Sequence, residues 1–218
     1  MVFVYTAPKL IVAERVQPRY DSAVTLIYST KRFLPAGTEL RLITNSDVYD
    51  VVIEDDDLIP GATETILETG FKSAPVKDHN DDTYTTPVAN IAAGETVDHV
   101  VWDLGSDASR VLCAKIATDL GILNARVAVS SDGSTWTIAV SAGGSAVLAA
   151  YYGSFRYVKL QSYNGSTSSY GATYWKYYSV EVYPPNLRKI LVATADMYKM
   201  IRVVSRYSSQ LLELMRVT

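Results

Sequence analysis

The sequence predicts an all-β protein. Short runs with an apolar/polar period of two recur along its 218 residues and are rich in β-branched and aromatic side chains. Turn-forming groups separate them at the spacing of sandwiches and barrels: Pro35-Ala36-Gly37, Pro60-Gly61, Asp132-Gly133 and Asn164-Gly165. Sixteen tyrosines stand against four phenylalanines and three tryptophans. Tyrosine joins an apolar ring to a water-tolerant hydroxyl, which suits half-buried strands and contact faces.

The clearest strands, in chain order, are Val24-Thr25-Leu26-Ile27-Tyr28, Glu39-Leu40-Arg41-Leu42-Ile43, Arg126-Val127-Ala128-Val129 and Tyr178-Ser179-Val180-Glu181-Val182-Tyr183. Three more are expected in the tail, over residues 189–193, 199–207 and 211–217. Residues 108–120 read as a strand or a helical turn, and no helix is assigned there. In Arg156-Tyr157-Val158-Lys159-Leu160, alternation puts Tyr157 and Lys159 on the face opposite Arg156, Val158 and Leu160. An inward arginine needs a carboxylate or carbonyl partner.

Charge divides the chain into three zones. Residues 1–75 carry 7 basic and 11 acidic groups, 76–184 carry 7 and 10, and 185–218 carry 6 and 2. The ends are therefore oppositely charged. Prolines at Ala74-Pro75 and Tyr183-Pro184-Pro185 interrupt strand ladders at the zone limits. The organisation expected is an N-terminal β segment, 1–73, a middle domain, 74–184, and a C-terminal β segment, 185–218. The tail pairs either with the N-terminal strands or with a neighbouring subunit.

Composition narrows the function. Hydrophobic residues at 48% and charged residues at 20% describe a globular chain. A net charge of -3 argues against nucleic acid as a partner. One cysteine, Cys113, and two histidines leave no disulfide framework and little histidine chemistry. No apolar run approaches the length of a membrane span, and residues 1–9 lack the pattern of a secretory signal, so neither membrane insertion nor signal-led export is expected. There is no Gly-x-Ser-x-Gly, His-Glu-x-x-His or phosphate-cradling motif, so a non-enzyme is expected.

The middle zone carries four motifs in order: Val101-Trp102-Asp103-Leu104-Gly105; Val127-Ala128-Val129-Ser130-Ser131-Asp132-Gly133-Ser134-Thr135-Trp136; Phe155-Arg156-Tyr157-Val158-Lys159-Leu160; and Val180-Glu181-Val182-Tyr183. This string resembles the discoidin-like domain, the coagulation-factor type C or galactose-binding-like module, over about half the chain. The resemblance implies a galactose-binding-like jelly-roll β-sandwich, with a small β unit formed by the two flanks. The Ser131-Asp132-Gly133 group reads as a tight turn, with Trp136 returning into the core.

In the resembled family a calcium ion often ties the opening loop to the closing strand. Asp78, Asn80, Thr83 and Glu181 match that pattern, with His79 in place of the usual glycine and Thr85 in place of the usual tryptophan. A structural calcium on these oxygens and a solvated acidic turn are both open readings. Glu54-Asp55-Asp56-Asp57 reads as a solvated loop. Family ligand sites lie on loops at one end of the sandwich, which makes Tyr84, Tyr151, Tyr152, Tyr163, Asn164, Tyr170, Tyr174 and Trp175 the candidate glycan contacts. Residues 163–171 have the Tyr/Ser/Gly/Asn composition of binding loops. These tyrosines packing on neighbouring strands or subunits is the competing reading.

Adhesive β modules on an assembly scaffold are a design of virion surface proteins, to which the chain is similar by fold-level analogy. The expected function is a non-enzymatic structural protein of a virus particle, a capsid, turret or tail component. It would sit in the virion, oligomerise with itself and other particle proteins, and attach to cell-surface glycans through its exposed discoidin-like domain. The alternative is a free, extracellular carbohydrate-binding lectin-like module.

Overall fold

A computed structural model describes residues 13–15, 25–44, 49–184, 190–205 and 212–217. The chain divides into two compact units, Met1–Glu54 with Asn186–Thr218, and Asp55–Pro185. The first contains β1 (Ala13–Arg15), β2 (Thr25–Leu34), β3 (Glu39–Thr44) and β4 (Tyr49–Ile53). From the tail come β11 (Ile190–Val192), β12 (Met197–Ser205) and β13 (Leu212–Val217).

The tail strands pair with the N-terminal strands of the same chain. They form two sheets, β1-β13-β3-β11 and β2-β12-β4, with every pairing antiparallel. Gly37, at φ +82, closes the turn between β2 and β3, where the Thr38 amide donates to Pro35 O. Backbone bonds from Gly37 to Ala193 and from Ala193 to Thr38 then join that turn to the tail.

The second unit is the expected β-sandwich. Its strands are β5 (Thr63–Ile66), β6 (Thr96–Thr118), β7 (Leu123–Ser130), β8 (Thr137–Ala142), β9 (Val147–Asn164) and β10 (Trp175–Tyr183). It begins at Asp55 and not at Ala74, because β5 pairs with residues 100–103 of β6 and the Leu58 amide donates to Val182 O. Residues 108–118 are strand throughout.

β6 and β9 are long enough to serve both layers. Their ladder is interrupted between Asp103 and Ala108, where Gly105 takes φ +84. Arg110 braces the bend by donating to the carbonyls of Ser106 and Phe155. Before the bend β6 lies between β5 and the second half of β9, which β7 and β8 extend. After it, β6 pairs with β10 and with the first half of β9. One core joins the two layers: Val100 and Trp102 with Val158 and Leu160 from one, Leu112 and Ile116 with Trp175 and Val180 from the other. Among the described residues the only helices are 3₁₀ turns of three residues.

Candidate functional site

From Tyr157 onward strand β9 follows the expected alternation, so Val158 and Leu160 enter the core and Tyr157, Lys159 and Gln161 point outward; Arg156, expected on the core side, is instead 37% exposed, and Phe155 takes the core position at the bend. Arg156 sits at the bend, and its Nε and Nη2 donate to the two carboxylate oxygens of Asp103 at 2.7 and 2.6 Å. That bidentate bond holds the Asp103 carboxyl down at about 2.

Trp136 corrects the sequence reading. It lies outside the core, partly buried, on the outer face of the β5-β6-β9-β7-β8 layer. The cause is a register shift: Val127 pairs with Val140 but Ala128 pairs with Ile138, so Ala139 is the extra residue of a bulge. One extra residue inverts the inside–outside parity, and Ile138 and Trp136 turn outward.

The Trp136 ring there covers the Lys159 ammonium, 4.1 Å from the ring centroid. Lys159 is almost wholly buried and donates to Asp98 Oδ2 at 2.9 Å, while Gln161 Nε2 donates to the other oxygen at 2.5 Å. Tyr157 stands beside them, with the Arg156 guanidinium 4.9 Å from its ring centroid. Gly133, at φ +76, presses on the same ring: a Cβ there would lie 3.3 Å from Tyr157 Cε2. Thr65, Leu67 and Val101 complete a trough of about 520 Å³ across the sheet face. It combines a rigid aromatic wall with a few fixed polar groups, the make-up of a small-ligand site.

The structure disperses the residues proposed from sequence. Trp175 is fully buried and donates its indole N–H to Asn124 O, so it cannot stack on a ligand. Asn164 is also buried and spent on its own loop and on Ile91, donating to Ile91 O and Ser168 O and accepting from the Ser166 amide. Tyr170 and Tyr174 meet edge to face at 5.3 Å at that end of the sandwich, both partly buried. Tyr163 lies under the Arg126 guanidinium at 4.2 Å. Tyr84, 47% exposed, leans on Tyr178. Tyr152 is partly buried on β9. Tyr151 lines a smaller polar pocket beside the turn of Asp132.

The loop assigned to calcium is held by protein groups. His79 adopts φ +52, in the left-handed region that a non-glycine residue seldom takes. Asp78 accepts from the Asn80 amide and from Thr83 Oγ1, and Lys115 Nζ donates to Asp81 O at 2.5 Å. Ser179 of β10 donates to the Asp81 carboxylate. Asp57 is buried, not solvated: it pairs with His79 Nε2 at 3.0 Å and accepts from the Val182 amide, so it ties the loop to the closing strand. Burial raises its carboxyl pKa, against the opposing bond to His79. Glu181 is buried and accepts from the Tyr183 hydroxyl. No cluster of three or more His, Cys, Asp or Glu side chains able to hold a metal forms among the described residues. Protein donors thus hold this loop to the closing strand, with Asp78 and Thr83 bonded to each other and Glu181 to Tyr183.

Sequence reading also missed a buried chain of polar groups. His99 Nδ1 lies 2.7 Å from Glu68 Oε2, and its Nε2 lies 2.8 Å from Ser162 Oγ. Ser162 Oγ is in turn 2.8 Å from the Tyr177 hydroxyl, which donates to Gln161 O. The connectivity is that of a Ser–His–acid triad, but Ser162, His99 and Tyr177 are fully buried and Phe71 stacks on the imidazole. Here it braces the loop after β5 against β6, β9 and β10.

No family model matches the chain, and no curated protein matches it. Similar solved structures include chitosan-binding module 1 of a chitosanase/glucanase from Paenibacillus sp. IK-5, at 20% identity and a TM-score of 0.38, over 59% of this chain and 98% of that one. Module 2 of that enzyme, in complex with chitotriose, gives 20% and 0.40 over 59% and 100%. A CBM32 module of a family 31 glycoside hydrolase from Clostridium perfringens gives 12% and 0.38 over 59% and 97%. These neighbours are carbohydrate-binding modules of the galactose-binding, discoidin-like fold that the four sequence motifs resemble.

Proposed function

We propose that the chain is a non-enzymatic glycan-binding protein that holds a sugar in the trough beside Trp136. The observation that carries this reading is the outward Trp136 ring fixed above the Lys159–Asp98 pair. A pyranose offers an apolar C–H face and a rim of hydroxyls. The indole and Tyr157 rings suit the first, and Asp98 and Thr65 suit the second. Asp98 and Asp132 outnumber Lys159 in formal charge, so the trough favours a neutral sugar over a uronate or sulfated one.

The test is a glycan array probed with the full chain and with Trp136→Ala. Binding to neutral glycans that the substitution removes is expected. Binding that survives Trp136→Ala, or none at all, overturns the reading.

A second reading concerns the flanking β unit, to which strands before and after the sandwich both contribute. On this reading the flanks attach the glycan-binding domain to an assembly such as a virus particle. Light scattering on the full chain decides: a ring-sized or larger species favours the assembly component, and a monomer favours the free lectin.

A further inference from the structure

On the other side of the turn that forms one wall of the trough lies a second depression. It measures about 230 Å³, and its lining is almost entirely hydroxyl-bearing: Ser130, Ser131, Thr135, Thr137, Tyr151 and Ser154, with Val129 the one apolar member. Asp132 borders this pocket and the trough alike. The two are neighbours across a single turn, Gly133 and Trp136 facing one and Thr135 and Ser130 the other.

That dividing wall is fixed. The Asp132 carboxylate accepts from the amides of Ser134 and Thr135 at 2.8 and 2.7 Å, and from the hydroxyls of Ser130 and Thr135. Ser131 ties the turn to the bend through Asp107 Oδ1 and Ser154 O. Hydroxyl groups both donate and accept and carry no charge, so they match sugar hydroxyls and have no special fit for an anion or an apolar group. The trough presents two aromatic rings, Trp136 and Tyr157, and the pocket presents one, Tyr151.

We infer that the trough and the hydroxyl pocket are consecutive subsites for one neutral oligosaccharide, which stacks a sugar on Trp136 and passes over the Asp132 turn to place the next against Tyr151 and Thr137. This rests on the glycan reading of the trough. Occupation of the second subsite by a sugar already tethered in the first is intramolecular, so affinity rises with chain length.

The experiment is calorimetric titration of the full chain with ladders of one to six sugars, built from neutral gluco-, manno-, galacto- and N-acetylglucosamine oligomers. The expected result is one ladder whose affinity rises at least about tenfold between the monosaccharide and the tetrasaccharide, then levels off. Tyr151→Phe and Thr137→Val, which remove a hydroxyl and a polar contact without emptying the core, should return the tetrasaccharide to shorter-oligomer affinity. Binding of the monosaccharide should be unchanged in both, and Trp136→Ala should abolish both. Length-independent binding that still needs Trp136 overturns the two-subsite inference alone. An equal loss for monosaccharide and tetrasaccharide in Tyr151→Phe does the same. If no ladder binds the wild-type chain, the glycan reading fails and the inference fails with it.

Discussion

The Lys159 ammonium is held from two sides, by the Trp136 ring at 4.1 Å and by Asp98 Oδ2 at 2.9 Å. A nearly buried lysine is tolerated because its charge is paired, and the pairing keeps the indole in place on an open sheet face.

The three tryptophans should therefore separate by cost. Trp136→Ala removes a surface ring and one cation–π contact, and it should cost about 1 kcal/mol or less in urea unfolding. Trp102→Ala and Trp175→Ala empty core positions and should each cost about 3–5 kcal/mol. A Trp136→Ala loss as large as theirs would return that residue to the core.

Acid should destabilise the sandwich through Glu68. Burial acts to raise its pKa, but the bond to His99 and the amides of Ala89 and Val88 lower it by more, so the folded value lies below the ordinary 4.5. Its contribution is thus complete above pH 4.5 and is lost as pH falls through the folded value. Asp103, held at about 2 by Arg156, acts in the same direction at lower pH. Thermal midpoints between pH 7 and 2 should fall below 4.5, and Glu68→Gln should flatten the upper part of that fall.

Calcium should not change the thermal midpoint. The midpoint is expected to be the same in millimolar calcium and in chelator, because His79–Asp57, Ser179–Asp81 and Lys115–Asp81 hold the loop. Asp57→Ala leaves the Val182 and Ile59 amides without their acceptor and should cost at least about 2 kcal/mol. A midpoint raised by calcium in the wild-type chain would show a metal staple after all.

Gly165 should resist replacement. A Cβ on it would sit 2.8 Å from Ile122 O and 3.1 Å from the Tyr163 ring. Gly165→Ala should cost about 1–3 kcal/mol by overpacking, measured by chemical denaturation. An unchanged midpoint would show that this loop is loosely held.

Local pattern carried much of the fold. Strands such as Tyr178–Tyr183 and the three tail strands could be read because alternation is a property of a few neighbouring residues. The outward Tyr157 and Lys159 were legible for the same reason. The trough was not, since it depends on Trp136, and a window that reads parity cannot see the bulge at Ala139 that reverses it. The binding-loop composition of 163–171 misled in the opposite sense. Asparagine and serine serve equally well to bond their own backbone, and Asn164 spends its amide on its own loop and on Ile91.

Residues close in the chain were enough for the all-β class, for many of its strands though not β1, β4, β5 or β8, for the turn chemistry of Ser131-Asp132-Gly133 and for the charge contrast of the flanks. Tertiary structure alone decided which side chains meet. It brought Lys159 to Asp98 across 61 positions, His99 to Ser162 across 63, and Asp57 to Val182 across 125. Such meetings depend on how β6 and β9 bend between layers and on where a register slips, and no local spacing encodes them.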